Sequence, residues 1–419
     1  MIHSFIKWLG FRWSNKVVET FSSQIGFVLI NVCSGIIISR GLGPEGRGQF
    51  VAITMWSNLL FWILNVNLYQ TVIYFWKLHR QNTRGMFNTF VVYAFFGCTL
   101  AFIVAEFVVI PLILPNSHEE IVMAARIYFL VIYYASVSDV LMGALASEER
   151  FRYANISRIL APFATTLVIL ILYLNGHLDI KSALYTSFSV STALFVLCLY
   201  WSFKLNFFSG SVSWEMMLHA FKYGGKSHIG TMAGVFSHQS SQIILSLFFP
   251  SSLLGLYSTA QSATAPLNTV TSTINILTQP RLTAERPRLI HYRVVHAVKI
   301  TAFFLGAGAA VLAGSIPFLL PLVYGESFKA AVIPAILLVP SIICVGMSNV
   351  FRHALNGIGK TFVSTKIELF VLFYIIPTLL FSGYFFGITG IAVATLSSSV
   401  LRLVLNYMEY RHHFLRYCN

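Results

Sequence analysis

The sequence predicts an all-α integral membrane protein of about 12 transmembrane helices in two six-helix lobes, both termini cytoplasmic, and three observations carry that prediction. Of 419 residues, 57% are hydrophobic and only 10% charged, whereas a soluble domain carries about a quarter charged residues. Apolar stretches recur along the whole chain at roughly the 20 residues that one bilayer crossing needs. The connections between them alternate between basic and non-basic.

The chain opens with Ile2, Phe5, Ile6, Leu9 and Trp13 interleaved with His3, Lys7, Arg12 and Lys16. Without a long apolar core or a small-residue cleavage site, residues 1–16 read as an interfacial amphipathic segment and not as a cleavable signal. Spans are predicted near 17–39, 49–76, 87–114, 124–146, 156–175 and 182–203, which make an N-lobe of residues 17–203. A cytoplasmic linker, 204–227, joins it to a C-lobe, 228–409, with spans near 228–249, 257–279, 298–323, 331–351, 363–386 and 388–409. A cytoplasmic tail, 410–419, follows.

The 28 Lys and Arg against 14 Asp and Glu do not form a nucleic-acid-binding surface, because they fall in short clusters between apolar runs. One set of connections holds Lys77, Arg80 and Arg84; Arg150, Arg152 and Arg158; Lys204, Lys222 and Lys226; Arg281, Arg286, Arg288 and Arg293; and Arg352, Lys360 and Lys366. The other set holds little beyond Arg40, Arg47, Arg126, Lys181 and Lys329, offset by Glu45, Glu119, Glu120, Asp179 and Glu326. The positive-inside rule therefore puts both termini in the cytoplasm.

The chain also repeats itself. Gly43-Pro44-Glu45-Gly46-Arg47-Gly48-Gln49-Phe50 after the first span is matched by Phe249-Pro250-Ser251-Ser252-Leu253-Leu254-Gly255-Leu256-Tyr257 after the seventh, each a proline turn and then Gly-x-aromatic entering a helix. Two related halves in parallel orientation are a transporter architecture, with the substrate between them and alternating access by rocking.

Polar residues inside the spans are the candidate site. Gln261, Thr264, Asn268, Thr271, Asn275 and Thr278 share one face of span eight, which reads either as interhelical hydrogen bonding or as the wall of a water-filled cavity. Span seven adds His238, Ser241 and Gln242, and span two adds Asn58 and Asn65. Buried ionisable residues are few: Glu106, Asp139, Glu368 and Arg402. Glu368 reads as a structural partner of Lys366, and Glu106 as interfacial or protonated. Asp139 is the ion-coupling candidate, or else a partner of Arg126 or Arg402. Arg40 and Arg352, at span ends, read either as topological anchors or as cations for an anionic ligand, since the forked guanidinium suits phosphate.

Several classes are excluded. Cys33, Cys98, Cys198 and Cys344 sit in apolar segments without C-x-x-C spacing, and no His makes metal-ligand spacing, so no metal site and no cofactor are expected. No P-loop, kinase set, nucleophile elbow or dinucleotide fingerprint occurs, so the chain is not expected to be an enzyme or to be driven by ATP bound to itself.

The string Ser39-Arg40-Gly41-Leu42-Gly43-Pro44-Glu45-Gly46-Arg47-Gly48-Gln49-Phe50 resembles the loop after the first span of polysaccharide transporters that include the O-antigen flippases. Their superfamily also holds multidrug and toxin extrusion (MATE) pumps and peptidoglycan-precursor flippases. Leu254-Gly255-Leu256-Tyr257-Ser258-Thr259-Ala260, Val323-Tyr324-Gly325-Glu326-Ser327-Phe328-Lys329-Ala330-Ala331 and Gly387-Ile388-Thr389-Gly390-Ile391-Ala392 extend the resemblance through the second half. It implies a MATE-like fold in a bacterial cytoplasmic membrane. It also implies transfer of undecaprenyl-diphosphate-linked oligosaccharide repeat units to the outer leaflet, as in lipopolysaccharide biosynthesis, with a polysaccharide polymerase and other assembly proteins as partners. One departure stands out: many relatives carry a carboxylate in span seven, where this chain has Ser240 and Ser241.

The expected substrate contacts are Arg40 and Arg352 to the diphosphate and Asn65, His238, Gln242, Asn268 and Asn275 to sugars. The alternatives are a cation-coupled drug or toxin antiporter of the same fold, which would want carboxylates in its cavity, and a membrane polysaccharide polymerase, which would want a sizeable loop.

Overall fold

Glycine followed by proline sets one corner of the chain, and glycine alone sets another. The computed structural model describes residues 15–78, 82–115, 117–282 and 287–418, and every regular element among them is helical. Helix α1 (Asn15–Leu64) bends at Gly43, whose φ of 65° suits a residue without Cβ, and Pro44 follows as the first residue of the next helical turn. Glycine just past a helix end and proline just inside the next start is the expected order. Helix α13 (Thr361–Cys418) bends likewise at Gly387, with φ 58°.

Between these corners run α2 (Leu68–Leu78), α3 (Thr83–Val104), a π-helical turn (Ala105–Val109), α4 (Ile110–Ile113), α5 (Glu119–Phe129), α6 (Val131–Ser147) and α7 (Phe151–Leu174). Then follow α8 (Ile180–Lys204), α9 (Trp214–Phe248), α10 (Ser251–Leu282), α11 (Pro287–Tyr324), a 3-10 turn (Glu326–Ala331) and α12 (Val332–Gly357). The predicted spans fall on helix, except that the one at 49–76 is interrupted at Asn65–Asn67 between α1 and α2. Residues 214–227 of the expected linker are the opening turns of α9, and only 205–213 connect helices. The interfacial segment expected at 1–16 lies almost wholly outside the described residues.

Eight stretches of the described residues are long and apolar enough to cross a membrane, which makes this a multi-pass membrane protein. Two of them, Gly26–Leu78 and Thr361–Phe414, are 53 and 54 residues long. At ~1.5 Å per residue each exceeds twice the ~30 Å hydrocarbon thickness, and each contains one of the bent corners. Helices α9 and α10 are not among the eight; they carry the polar residues His238, Gln239, Gln242, Gln261 and Asn268.

By contacts the chain forms two compact units, one of Cys33–Ser258 and the other of Thr259–Asn419 with the described residues up to Val32. The first has two apolar clusters, one around Phe87, Phe90, Leu141 and Trp76 and the other around Ile53, Phe129, Ile132 and Leu184. The second is centred on Val294, Val350, Phe351 and Tyr410.

Within the first unit the two repeated loops meet. A Cβ on Gly48 would run into the Ser251 carbonyl, and one on Gly255 into the Pro44 carbonyl, with 3.1 Å to Gly255 N and Gly48 N respectively. Pro44 and Ser251, like Gly48 and Gly255, are 207 residues apart, so equivalent residues of the repeat face one another. Arg47, buried beside them, donates from Nε to Ser258 Oγ at 3.1 Å and from Nη1 to Gly35 O and Ser39 Oγ.

The sparse charges on the expected outer connections pair locally. Arg126 Nη2 meets Glu106 Oε1 at 2.8 Å and Lys181 Nζ meets Glu120 Oε2 at 2.5 Å. Glu106 sits in the π-helical turn, so the widened turn turns the carboxylate towards its partner.

Replacing Gly48 or Gly255 with alanine should therefore destabilise the protein by about 1–3 kcal/mol or more through overpacking. Gly234→Ala on α9, where a Cβ meets nothing within 4 Å, should be neutral or slightly stabilising, since alanine is the better helix former. Thermal unfolding of the detergent-solubilised variants tests the contrast, and equal melting temperatures for Gly48→Ala and Gly234→Ala would contradict it.

Candidate functional site

The first unit holds an open cavity of about 440 Å³ lined by one face of the second part of α1, one face of α5–α6 and two residues of α9. From α1 come Val51, Thr54, Met55, Ser57, Asn58 and Phe61, from α5 and α6 Tyr128, Val131, Ile132 and Ala135, and from α9 Gln239 and Gln242. The steps of three and four on α1 and α6 are those of a single helical face. Trp56 Nε1 donates to Ser246 Oγ at 3.0 Å and holds α1 against α9. The volume suits a small-molecule group, for which sites run roughly 300–1,000 Å³.

The lining is polar and uncharged. It offers three amides, the hydroxyls of Thr54, Ser57 and Tyr128, and the ring of Phe61, with no Asp, Glu, Lys, Arg or His among the described residues that line it. Such a wall can exchange hydrogen bonds in both directions with a neutral ligand. It provides no countercharge for a cation.

One turn beyond the cavity on the same helix faces, the chain breaks between α1 and α2. Val66 and Asn67 take left-handed backbone, with φ 43° and 56°, an unusual conformation for a β-branched residue. The broken ends are satisfied by neighbours: Asp139 Oδ2 accepts from Asn65 Nδ2 at 2.7 Å and from the Tyr69 amide at 3.2 Å, and His228 Nε2 lies 2.8 Å from Ile63 O. A carboxylate at the start of α2 also faces the positive end of its dipole. Asp139 makes no ion pair among the described residues, so neither Arg126 nor Arg402 is its partner.

The expected site residues divide accordingly. Gln242 lines the cavity. Asn65 is buried and engaged with Asp139. Arg40 and His238 are exposed in the first unit, and Asn268 is exposed in the second. Arg352 is half-buried in the second unit, with Nη2 on Asn349 Oδ1 at 2.9 Å. The side chain of Asn275 lies outside the described residues. Of the span-eight stripe, Thr264 and Thr271 are buried and Asn268 is not; Thr271 packs where a Cβ on Gly346 would be 3.3 Å away, which is helix-to-helix packing at that position. Glu368 pairs with Arg402 at 3.3 Å and not with Lys366. Gln239, Thr54, Ser57 and Tyr128 were missed, although Thr54 and Asn58 share a face with Val51 and Phe61 at helical spacing.

The sequence of residues 37–333 matches the family of polysaccharide biosynthesis proteins. The chain belongs to that family. No curated protein matches this polysaccharide biosynthesis protein in sequence. Solved structures match it closely in fold. An inward-facing MATE multidrug resistance transporter of the MOP superfamily aligns with a TM-score of 0.72 at 14% identity, over 96% of this chain and 98% of the other. The lipid II flippase MurJ in an inward closed conformation aligns with a TM-score of 0.73 at 14% identity, over 96% and 89%. A MOP superfamily transporter from Pyrococcus furiosus aligns with a TM-score of 0.61 at 13% identity, over 96% and 95%. At these identities the likeness is one of fold.

Asp139→Ala should strand the Asn65 amide and the Tyr69 N–H and cost about 1.5–3 kcal/mol, as for a hydrogen bond to a charged group. Asp139→Asn, which keeps an acceptor oxygen, should cost less. Thermal unfolding measures both, and an Asp139→Ala variant as stable as wild type would show that the carboxylate does not hold the helix break.

Proposed function

We propose that this chain is a flippase that moves undecaprenyl-diphosphate-linked oligosaccharide repeat units, of O-antigen or a related surface polysaccharide, from the inner to the outer leaflet of a bacterial cytoplasmic membrane. The observation that carries this reading is the uncharged, hydrogen-bonding wall of the cavity at Asn58, Gln239 and Gln242. Sugar hydroxyls both donate and accept, as amides do, and Phe61 offers an apolar ring face. A drug-cation antiporter would require a carboxylate there, and the nearest, Asp139, is occupied by Asn65 and Tyr69. Membership of the polysaccharide biosynthesis family favours the same substrate class.

On this reading twelve spans in two six-helix lobes, with both termini cytoplasmic, work by alternating access while the polyprenyl tail stays in lipid. Gln242, with Asn58 and Gln239, contacts sugar, and His238, Asn268 and Asn275 extend the contact. Asn65 acts through Asp139, the ion-coupling candidate, and not on substrate. Arg40 and Arg352 face the diphosphate. A polysaccharide polymerase and other assembly proteins act on the product.

Deleting the gene should abolish surface polysaccharide and leave complete lipid-linked single repeats on the cytoplasmic leaflet, with rescue by the intact gene. Gln242→Ala should lower transfer about two- to tenfold, the loss of a single neutral hydrogen bond of roughly 0.5–1.5 kcal/mol, and Arg40→Glu should lower export at normal protein level. Unpolymerised repeats on the outer leaflet of the deletion strain, or unaffected export, would refute the flippase assignment.

A further inference from the structure

The cavity wall in the first unit holds neutral hydrogen-bonding groups that the protein itself does not use. Asn58 on α1, Tyr128 on α5 and Gln239 on α9 line it and make no hydrogen bond within the protein among the described residues. Three helices thus bring uncommitted amides and a phenol to one space, where each amide both donates and accepts. Thr54 adds an acceptor, because its own hydroxyl proton goes to Phe50 O at 2.9 Å. Met55, Phe61, Val131 and Ile132 fill the intervals between these groups.

Two formal charges flank this wall along its own helices, and they differ in access. Arg47, one turn before Val51, is 4% exposed, with its donors on oxygens of Gly35, Ser39 and Ser258. Asp139 lies one turn beyond Ala135 on the same face of α6, roughly 6 Å further along the axis, and is partly exposed. Its two donors, Asn65 Nδ2 at 2.7 Å and the Tyr69 amide at 3.2 Å, are neutral and leave its charge uncancelled. Arg126 on α5 is taken by Glu106 at 2.8 Å, and His238 beside Gln239 is not among the lining residues. Arg158 is within electrostatic reach of Tyr69 but makes no ion pair with Asp139 among the described residues. The charge a ligand meets at this wall is therefore negative.

We propose that the cavity selects repeat units built from uncharged sugars and rejects those carrying a sugar carboxylate, with Asp139 setting that choice through its charge. The inference rests on the flippase reading and names the class of glycan within it. A hydroxymethyl group of a neutral hexose donates and accepts, as the wall does. A uronate carboxylate only accepts, carries its charge out of water into a space partly walled by apolar side chains, and approaches a like charge.

Three probes separate charge from shape: undecaprenyl-diphosphate-linked trisaccharides in which one sugar is glucose, glucuronic acid or glucuronamide, alike except for a hydroxymethyl, carboxylate or carboxamide group. Binding to the full-length protein in phosphatidylcholine nanodiscs is read by native mass spectrometry, and transfer is read in proteoliposomes. The glucose and glucuronamide probes should bind alike and the glucuronate probe about tenfold or more weaker, the scale of a like-charge approach in a partly solvated site. Asp139→Asn should narrow the binding ratio. Gln239→Lys, which puts a cation on the wall, should reverse it.

A merely structural Asp139 would leave the ratio between probes untouched, whatever its effect on stability. Gln239→Lys makes the same test away from the helix break, so the proposal stays refutable if Asp139→Asn does not fold. Equal binding and transfer of all three probes would overturn the proposal and leave the flippase reading standing. Rejection of glucuronamide as strong as that of glucuronate would also overturn it, because shape and not charge would then decide. A wild-type ratio in the variants that fold would do the same. Failure of every probe to bind or move would sink the flippase reading, and this inference with it.

Discussion

The first unit depends on a crossing where backbone touches backbone. Gly48 and Gly255 let the start of α10 and the second part of α1 approach until each glycine faces a carbonyl of the other strand of the repeat, Ser251 and Pro44. No side chain fits there. The cavity is downstream of this contact, because Val51, Thr54, Asn58 and Phe61 are the turns of α1 that follow Gly48, and their direction is fixed where the helix starts. Arg47, between the two glycine contacts in sequence and buried, spends its donors on oxygens of Gly35, Ser39 and Ser258 and so locks the helix before the bend to the one after it.

The same economy governs the break at Val66 and Asn67. In an apolar surrounding each freed backbone group needs a partner from a neighbouring helix. Asp139 of α6 serves the amide end and His228 of α9 the carbonyl end, while Gly224 admits the Val66 carbonyl so closely that a Cβ would be 2.6 Å from it. Two neighbouring helices, α6 and α9, are therefore committed to one interrupted turn adjoining the cavity. Interruptions of this kind are tolerated where they are buried in protein, which is the setting found here.

Much of this architecture was legible in the sequence. Helical spans came from apolar run length, and the repeat came from Gly-x-aromatic after a proline turn, a pattern whose cause is the glycine crossing itself. The partners of the polar residues were not legible. Asn65 looked like a ligand contact because a lone amide in an apolar run has no visible partner, and its partner Asp139 lies 74 residues away. Glu106 read as interfacial or protonated, and its partner Arg126, 20 residues on, shows only in the fold. Span periodicity says which residues share a face, but it does not say which helix that face meets. Hence Thr271 and Asn268 could share a stripe and still differ in burial, and Gln239 could be missed beside Gln242.

Charge divides along the chain in a way that bears on what it carries. In the first unit the cavity wall is neutral, and the buried ionisable groups near it, Asp139 and Arg47, are engaged by protein atoms. In the second unit Arg402 pairs with Glu368 at 3.3 Å, both side chains buried. On the proposed flippase reading, a hydroxyl-rich glycan suits a surface without fixed charge, on which many hydroxyls can exchange partners, whereas a small organic cation would find no countercharge on the described wall at Asn58, Gln239 and Gln242.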